Sequence, residues 1–179
     1  MLPILIACRF APDKYVMRAI MARRFRARHG LELAAAGARV AVVSGGDPGV
    51  FAMAAAVFET LEQGDASWRE IEIAVHPGIS AMLAAAARLG APLGHDFCAI
   101  SLSDNLKSWS VIEQRLHAAA MGDFVIALYN PASKARPQLI HDAFALLREL
   151  KPAETIVGFA RAIGRPDEKL TLTTLAEAD

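Results

Sequence analysis

Short apolar runs rich in β-branched residues alternate with helix-length amphipathic stretches along most of the chain. This alternation narrows the fold to an α/β arrangement with mainly parallel strands. Strand runs are expected at 38–43, 71–76, 97–102, 124–129, 155–160 and 169–175. Between them, 50–61, 79–89, 109–120 and 137–150 have helical length and an apolar face. Pro137 suits a first helical turn, where its missing amide would be unpaired anyway. The run at 169–175 alternates apolar and polar residues, which suits an antiparallel edge strand. Leu89, Gly90, Ala91, Pro92, Leu93 and Gly94 close an alanine-rich helix with glycines and a proline. Two α/β domains are therefore expected, 1–93 and 94–179, the first mostly parallel and the second built on a mixed sheet.

Charge and cysteine usage narrow the function classes. The 179 residues carry 19 Lys plus Arg against 19 Asp plus Glu, so net charge selects neither nucleic acid nor an acidic membrane as a partner. Cys8 and Cys98 are too few for a disulfide framework, and neither has metal-ligand spacing. No metal is expected, and a reducing cytoplasm is the natural compartment. No apolar stretch reaches the roughly 18 residues of a membrane-spanning helix, and the opening LPILIAC run lacks the charged flank and cleavage site of a leader. Arg18, Arg23, Arg24, Arg26 and Arg28 crowd the stretch before Gly30. With no aromatic platform or nucleic-acid motif beside them, they read as a solvated helix face or a poorly ordered terminus rather than a phosphate grip or an organelle-targeting peptide.

Two junctions carry the functional signal. Residues 44–51, SGGDPGVF, lie between a strand run and a helical run. Three glycines and a proline there leave almost bare backbone, able to press amides and carbonyls against a ligand. His76, Pro77, Gly78, Ile79, Ser80 and Ala81 form a second glycine-bearing junction. Ligands of open α/β sheets sit at strand ends of this kind. The G-G-x-x-G spacing differs from the G-x-G-x-x-G of dinucleotide sites, which argues against an oxidoreductase. Asp47 is either a turn residue bonding nearby amides or a ligand contact, and Ser80 either caps a helix or bonds a ligand.

Taken together, SGGDPGVFA at 44–52, HPGISAM at 76–82, GHDF at 94–97, SLSDN at 101–105 and ALYNPASKARP at 127–137 resemble the tetrapyrrole methylase superfamily, most of all its corrin branch in cobalamin synthesis. The resemblance runs from about Arg26 to the end of the chain. It implies a two-domain tetrapyrrole methylase-like fold and a homodimer. It also implies S-adenosyl-L-methionine as cofactor, held between the domains, and a precorrin as the tetrapyrrole substrate. Gly45, Gly46, Asp47 and Val50 would surround the methionine end of the cofactor, with Ser80 and Ala81 beside it and Tyr129 and Asn130 on the adenosine side. Lys107, Lys134, Arg136 and Arg161 would meet the substrate's carboxylates, for which guanidinium groups suit bidentate contact. Ring contraction accompanying methylation needs proton transfers, for which Asp104 and His95 are the candidates. Methyl transfer from a sulfonium is an in-line displacement with its leaving group already activated, so alignment is the main task.

Two departures set further expectations. The superfamily opens with a strand and a G-x-G-P-G loop, neither recognisable in residues 1–25, and the second domain reads as incomplete at Asp179. The alternatives to a corrin-pathway enzyme are a superfamily member with another substrate, and a cofactor-binding or dimerising remnant without activity.

Overall fold

The computed structural model describes residues 4–7, 23–104, 107–131 and 137–178. The chain forms two compact units, residues 1–81 and 82–179. The glycine- and proline-bearing segment 89–94 lies inside the second unit.

The first unit runs β1 (Ile4–Ala7), α1 (Arg23–Ala35), β2 (Val40–Val43), α2 (Met53–Gln63), a 3-10 turn (Ala66–Glu70) and β3 (Ile73–Val75). Its sheet has the order β2-β1-β3, with β1 parallel to both neighbours and Ile4 in register with Val40 and Ile73. This corrects the expectation of no recognisable first strand. Four residues are too short to carry a period, and their strand character comes from partners, since β2 and β3 each offer a row of amides and carbonyls that must be paired. Ala27, Leu31 and Ala34 of α1 share one helix face and pack with Val40, Val42, Met53, Val57 and Trp68. Gly30 lies on that face, and a Cβ there would stand 3.4 Å from Val42, so the glycine lets α1 approach β2 closely. The helix α2 starts three residues later than the apolar pattern alone suggests. Pro48 to Ala52 instead form a turn, closed by Ala54 N donating to Pro48 O at 2.9 Å, with Phe51 at φ 50°.

The second unit runs α3 (Ala81–Leu89), β4 (Phe97–Ser101), α4 (Trp109–Met121), β5 (Val125–Tyr129), α5 (Leu139–Leu150), β6 (Ile156–Arg161) and β7 (Lys169–Thr174). Among the described residues its strands form a parallel ladder, β4–β5, and an antiparallel one, β6–β7, rather than a single mixed sheet. The second ladder is closed locally: Glu168 accepts from Gly164 N at 2.7 Å and from Arg88 at 2.8 Å, which fixes the β6–β7 turn onto α3. On α4, Ile112, Leu116 and Ala119 recur at helical spacing and bury against Ile100, Leu102, Leu139 and Ala143. Each fully buried Leu or Ile of this kind contributes about 1.5–3 kcal/mol. Phe144 meets Phe159 edge to face at 5.8 Å, within a cluster that also takes in Leu147, Leu175 and Ala178. Arg148 donates to Leu175 O and Ala178 O, pinning the segment after β7 to α5. Gly158 has no side chain because Leu89 occupies its place: a Cβ there would lie 2.8 Å from Leu89 Cδ1.

Candidate active site

In the first unit, β2 and β3 flank β1 and run parallel to it, so adjacent strands about 4.8 Å apart bring the loops after β2 and β3 to one sheet edge. Asp47 joins those loops. Its Oδ1 accepts from Gly49 N at 2.7 Å, and its Oδ2 accepts from Gly78 N at 2.9 Å, across 31 residues of sequence. The Gly78 amide first, then those of Gly49 and Val50, hold the Asp47 carboxyl below its usual range, while partial burial works the other way. Both sequence alternatives for Asp47 involved its carboxylate, and the structure commits both oxygens to backbone amides. Gly46 sits at φ 68°, where a Cβ would face Ile79 O at 3.6 Å and Ser80 Cα at 3.8 Å. The two junctions thus lie against each other, with Pro48 fully buried beneath, and Gly45 is exposed.

Ser80 is 3% exposed, and its Oγ has no hydrogen-bond partner among the described residues. A serine just before a helix ordinarily caps the second or third amide. Here the Met82 amide at the start of α3 donates to the Tyr129 hydroxyl instead, at 3.0 Å. An unpaired buried hydroxyl costs about 1–3 kcal/mol, and a ligand bonded to it would recover that cost. Ala81, the first residue of α3, is exposed.

In the second unit, the carboxyl edge of the β4–β5 ladder gathers the sequence candidates Asp104, Lys107, Tyr129 and Asn130. Ser101 pairs in register with Tyr129, and Leu102 N continues the ladder to Tyr129 O at 2.8 Å. Asn130 then leaves the strand at φ 54°. Its Nδ2 donates to Ser101 Oγ at 2.9 Å, and Ser103 N donates to the same oxygen at 3.3 Å. Ser101 is a polar residue that sequence reasoning passed over within its motif. The available signal was a serine two residues before another at a strand end, a pattern that bends the chain through a side-chain bond. Burial first, and then the charge of Arg115, lowers the Lys107 pKa.

His95 precedes β4 whereas Asp104 follows it, so the strand separates the two acid–base candidates by about 13 Å or more. His95 lies instead near Asp123, whose carboxyl is held low chiefly by its hydrogen bond to Lys151, with a small contribution from His95. Arg161 ends β6, exposed and opposite Lys169. Lys134 and Arg136 lie outside the described residues. A separate open cavity of about 780 Å3 on the helical side of the first unit is lined by Arg24, Phe25, Arg28, Thr60, Gln63 and Trp68, and none of the junction residues line it. Among the described residues, no group of three His, Cys, Asp or Glu side chains is placed to hold a metal ion, and no helix is long and apolar enough to cross a membrane.

Two glycine junctions meet at the carboxyl edge of a parallel sheet, beside a buried hydroxyl with no partner among the described residues, an arrangement of the class of α/β protein whose ligands lie at strand ends. The chain belongs to the tetrapyrrole (corrin/porphyrin) methylases, whose family profile matches residues 6–179. It is 62% identical over 154 residues to a precorrin-3B C(17)-methyltransferase of a Sinorhizobium species, an alignment covering 86% of this chain and 61% of that protein. It is 45% identical over 171 residues to a probable cobalt-factor III C(17)-methyltransferase of Salmonella typhimurium, covering 95% of this chain and 70% of the relative. The crystal structure of the methyltransferase CobJ superposes with a TM-score of 0.89 at 46% identity, over 99% of this chain and 77% of that one. The chain thus spans a little over three fifths of the length of the Sinorhizobium relative.

Proposed function

We propose that the chain is an S-adenosylmethionine-dependent methyltransferase acting on carbon 17 of precorrin-3B, or of its cobalt-bearing counterpart, in cobalamin biosynthesis. The observation that carries this reading is the 62% identity to the Sinorhizobium enzyme of that name. The site supports it independently. Bare backbone at Gly45 and Gly46, together with the unpaired Ser80 hydroxyl, suits a ligand with one amino-acid end and one nucleoside end. When bound, S-adenosylmethionine supplies a methyl group activated by its sulfonium charge. The protein's own work is alignment.

Gly45, Gly46 and Val50 would hold the methionine end through backbone, Asp47 would keep their loop braced to Gly78, and Ser80 and Ala81 would complete that side. Tyr129 and Asn130 would take the adenosine. Lys107 is a partly buried cation under the charge of Arg115, so a substrate carboxylate beside it would offset both effects. Arg161, Lys134 and Arg136 would serve other carboxylates around the macrocycle. Asp104, on the same strand edge as Asn130, is the better placed of the acid–base candidates to exchange protons during ring contraction, and His95 would act elsewhere. A cytoplasmic homodimer goes with this reading on the strength of the family. Incubation with methyl-labelled S-adenosylmethionine and precorrin-3B should yield a product labelled at carbon 17. Tight S-adenosylhomocysteine binding without transfer would identify a cofactor-binding remnant instead, and transfer to a different tetrapyrrole would identify another substrate within the family.

A further inference from the structure

We infer that Ser101 is a positioning residue: its buried hydroxyl accepts from both exits of the β4–β5 ladder, and through Asn130 it sets the cofactor-facing surface. The inference rests on the reading above that Asn130 lies against the cofactor. Ser101 is 7% exposed, at the last position of β4 and in register with Tyr129. One atom, its Oγ, receives the side-chain amide of Asn130 at 2.9 Å and the backbone amide of Ser103 at 3.3 Å. The first bond holds a residue in the left-handed region, which asparagine tolerates but most residues do not. The second turns the chain immediately ahead of Asp104.

Consequences follow from what each bond leaves over. With one Nδ2 hydrogen committed to Ser101, the side-chain amide is held in one orientation, presenting its Oδ1 and its second N–H. Without the brace its exposed amide would be hydrated and free to rotate, at little cost to the fold. Ser101 therefore governs how Asn130 is presented more than whether the unit folds. The Ser101 hydroxyl accepts both bonds and keeps its own proton for a further partner.

The test combines calorimetric titration of S-adenosylhomocysteine with the nitrogen-15 signals of the Asn130 side-chain amide. Ser101→Ala should weaken binding about tenfold, the equivalent of one charge-neutral hydrogen bond's ordering. Ser101→Thr, which keeps the oxygen, should restore most of the affinity. Asn130→Gly keeps the left-handed backbone while removing the amide, and should weaken binding at least as much. Adding Ser101→Ala to Asn130→Gly should then cost nothing further. In the parent the Asn130 amide protons should exchange slowly, and in Ser101→Ala rapidly. Unchanged affinity in a folded Ser101→Ala protein overturns the inference, as does full additivity with Asn130→Gly. If the parent binds no S-adenosylhomocysteine, the proposed function fails, and the exchange of the amide protons still decides the brace: rapid exchange in the parent overturns it. If Ser101→Ala does not fold, exposed Asn130→Gly and Ser101→Thr carry the comparison.

Discussion

The glycine junctions of the first unit and the strand edge of the second solve the same problem, presenting a fixed polar surface, by opposite means. At 44–51 and 76–80 the surface is nearly all backbone, held by one carboxylate reaching two amides. At Ser101 and Asn130 it is made of side chains, held by one hydroxyl receiving two amides. The first arrangement fails when a side chain is added to a glycine held at positive φ, and the second when a polar atom is taken away. Backbone recognition tolerates little variation in φ, whereas the hydroxyl brace tolerates any side chain that keeps an oxygen in place.

The largest effect should come from adding bulk to the backbone surface. Gly46→Val places a β-branched side chain at φ 68°, pointing at Ile79 O and Ser80. The left-handed backbone alone costs about 1–2 kcal/mol for an ordinary residue, and more for a branched one. S-adenosylhomocysteine affinity should fall beyond measurement in a protein that still shows native circular dichroism. Retained affinity would reduce the glycine junction to an ordinary turn and remove one side of the comparison.

A smaller loss is expected for Asp47→Asn, which keeps one acceptor and turns an N–H toward the other amide. Hydrogen bonds to a charged acceptor are worth about 1.5–3 kcal/mol, so affinity should fall roughly ten- to a hundredfold. The pH response separates charge from shape. The Asp47 carboxyl is held below its ordinary range in the folded protein, so its contribution is complete at neutral pH and is lost as pH falls through that lowered value. The gap in stability between parent and Asp47→Asn should therefore narrow on acidification, and a gap independent of pH down to the acid limit of folding would show that the carboxylate charge is not what joins the loops.

Lys107→Gln should have the mildest effect, a roughly twofold to fivefold weakening of tetrapyrrole binding, in line with one partly solvated charge contact, with cofactor affinity unchanged. Equal losses for both ligands would show that Lys107 supports the strand edge as a whole instead of the substrate.

Most of the framework was legible because strand runs and helical faces differ in period. The expected runs at 97–102, 124–129 and 155–160 match β4, β5 and β6 to within a residue or so, and the antiparallel placing of β7 followed from its alternation. The strand Ile4–Ala7 was not legible, since its identity depends on the partners on either side of it. The reach of Asp47 to Gly78 was equally hidden, because nothing in a sequence states which amide 31 residues away will face a carboxylate. His95 and Asp104 are separated for a similar reason: nine residues apart reads as near, but an extended strand puts them at opposite ends of the ladder. Ser80 could be read as a cap or a ligand contact, and only the structure shows that its hydroxyl has no partner among the described residues while the Met82 amide goes to Tyr129.

The most direct test of the central claim is an amide map of S-adenosylhomocysteine binding, by nitrogen-15 correlation spectra of the intact chain. Saturable shifts are expected at Gly45, Gly46, Gly49, Gly78 and Ser80. Shifts confined to Arg24, Phe25, Arg28 and Trp68 around the separate cavity, or no saturable shift at any residue, would contradict it.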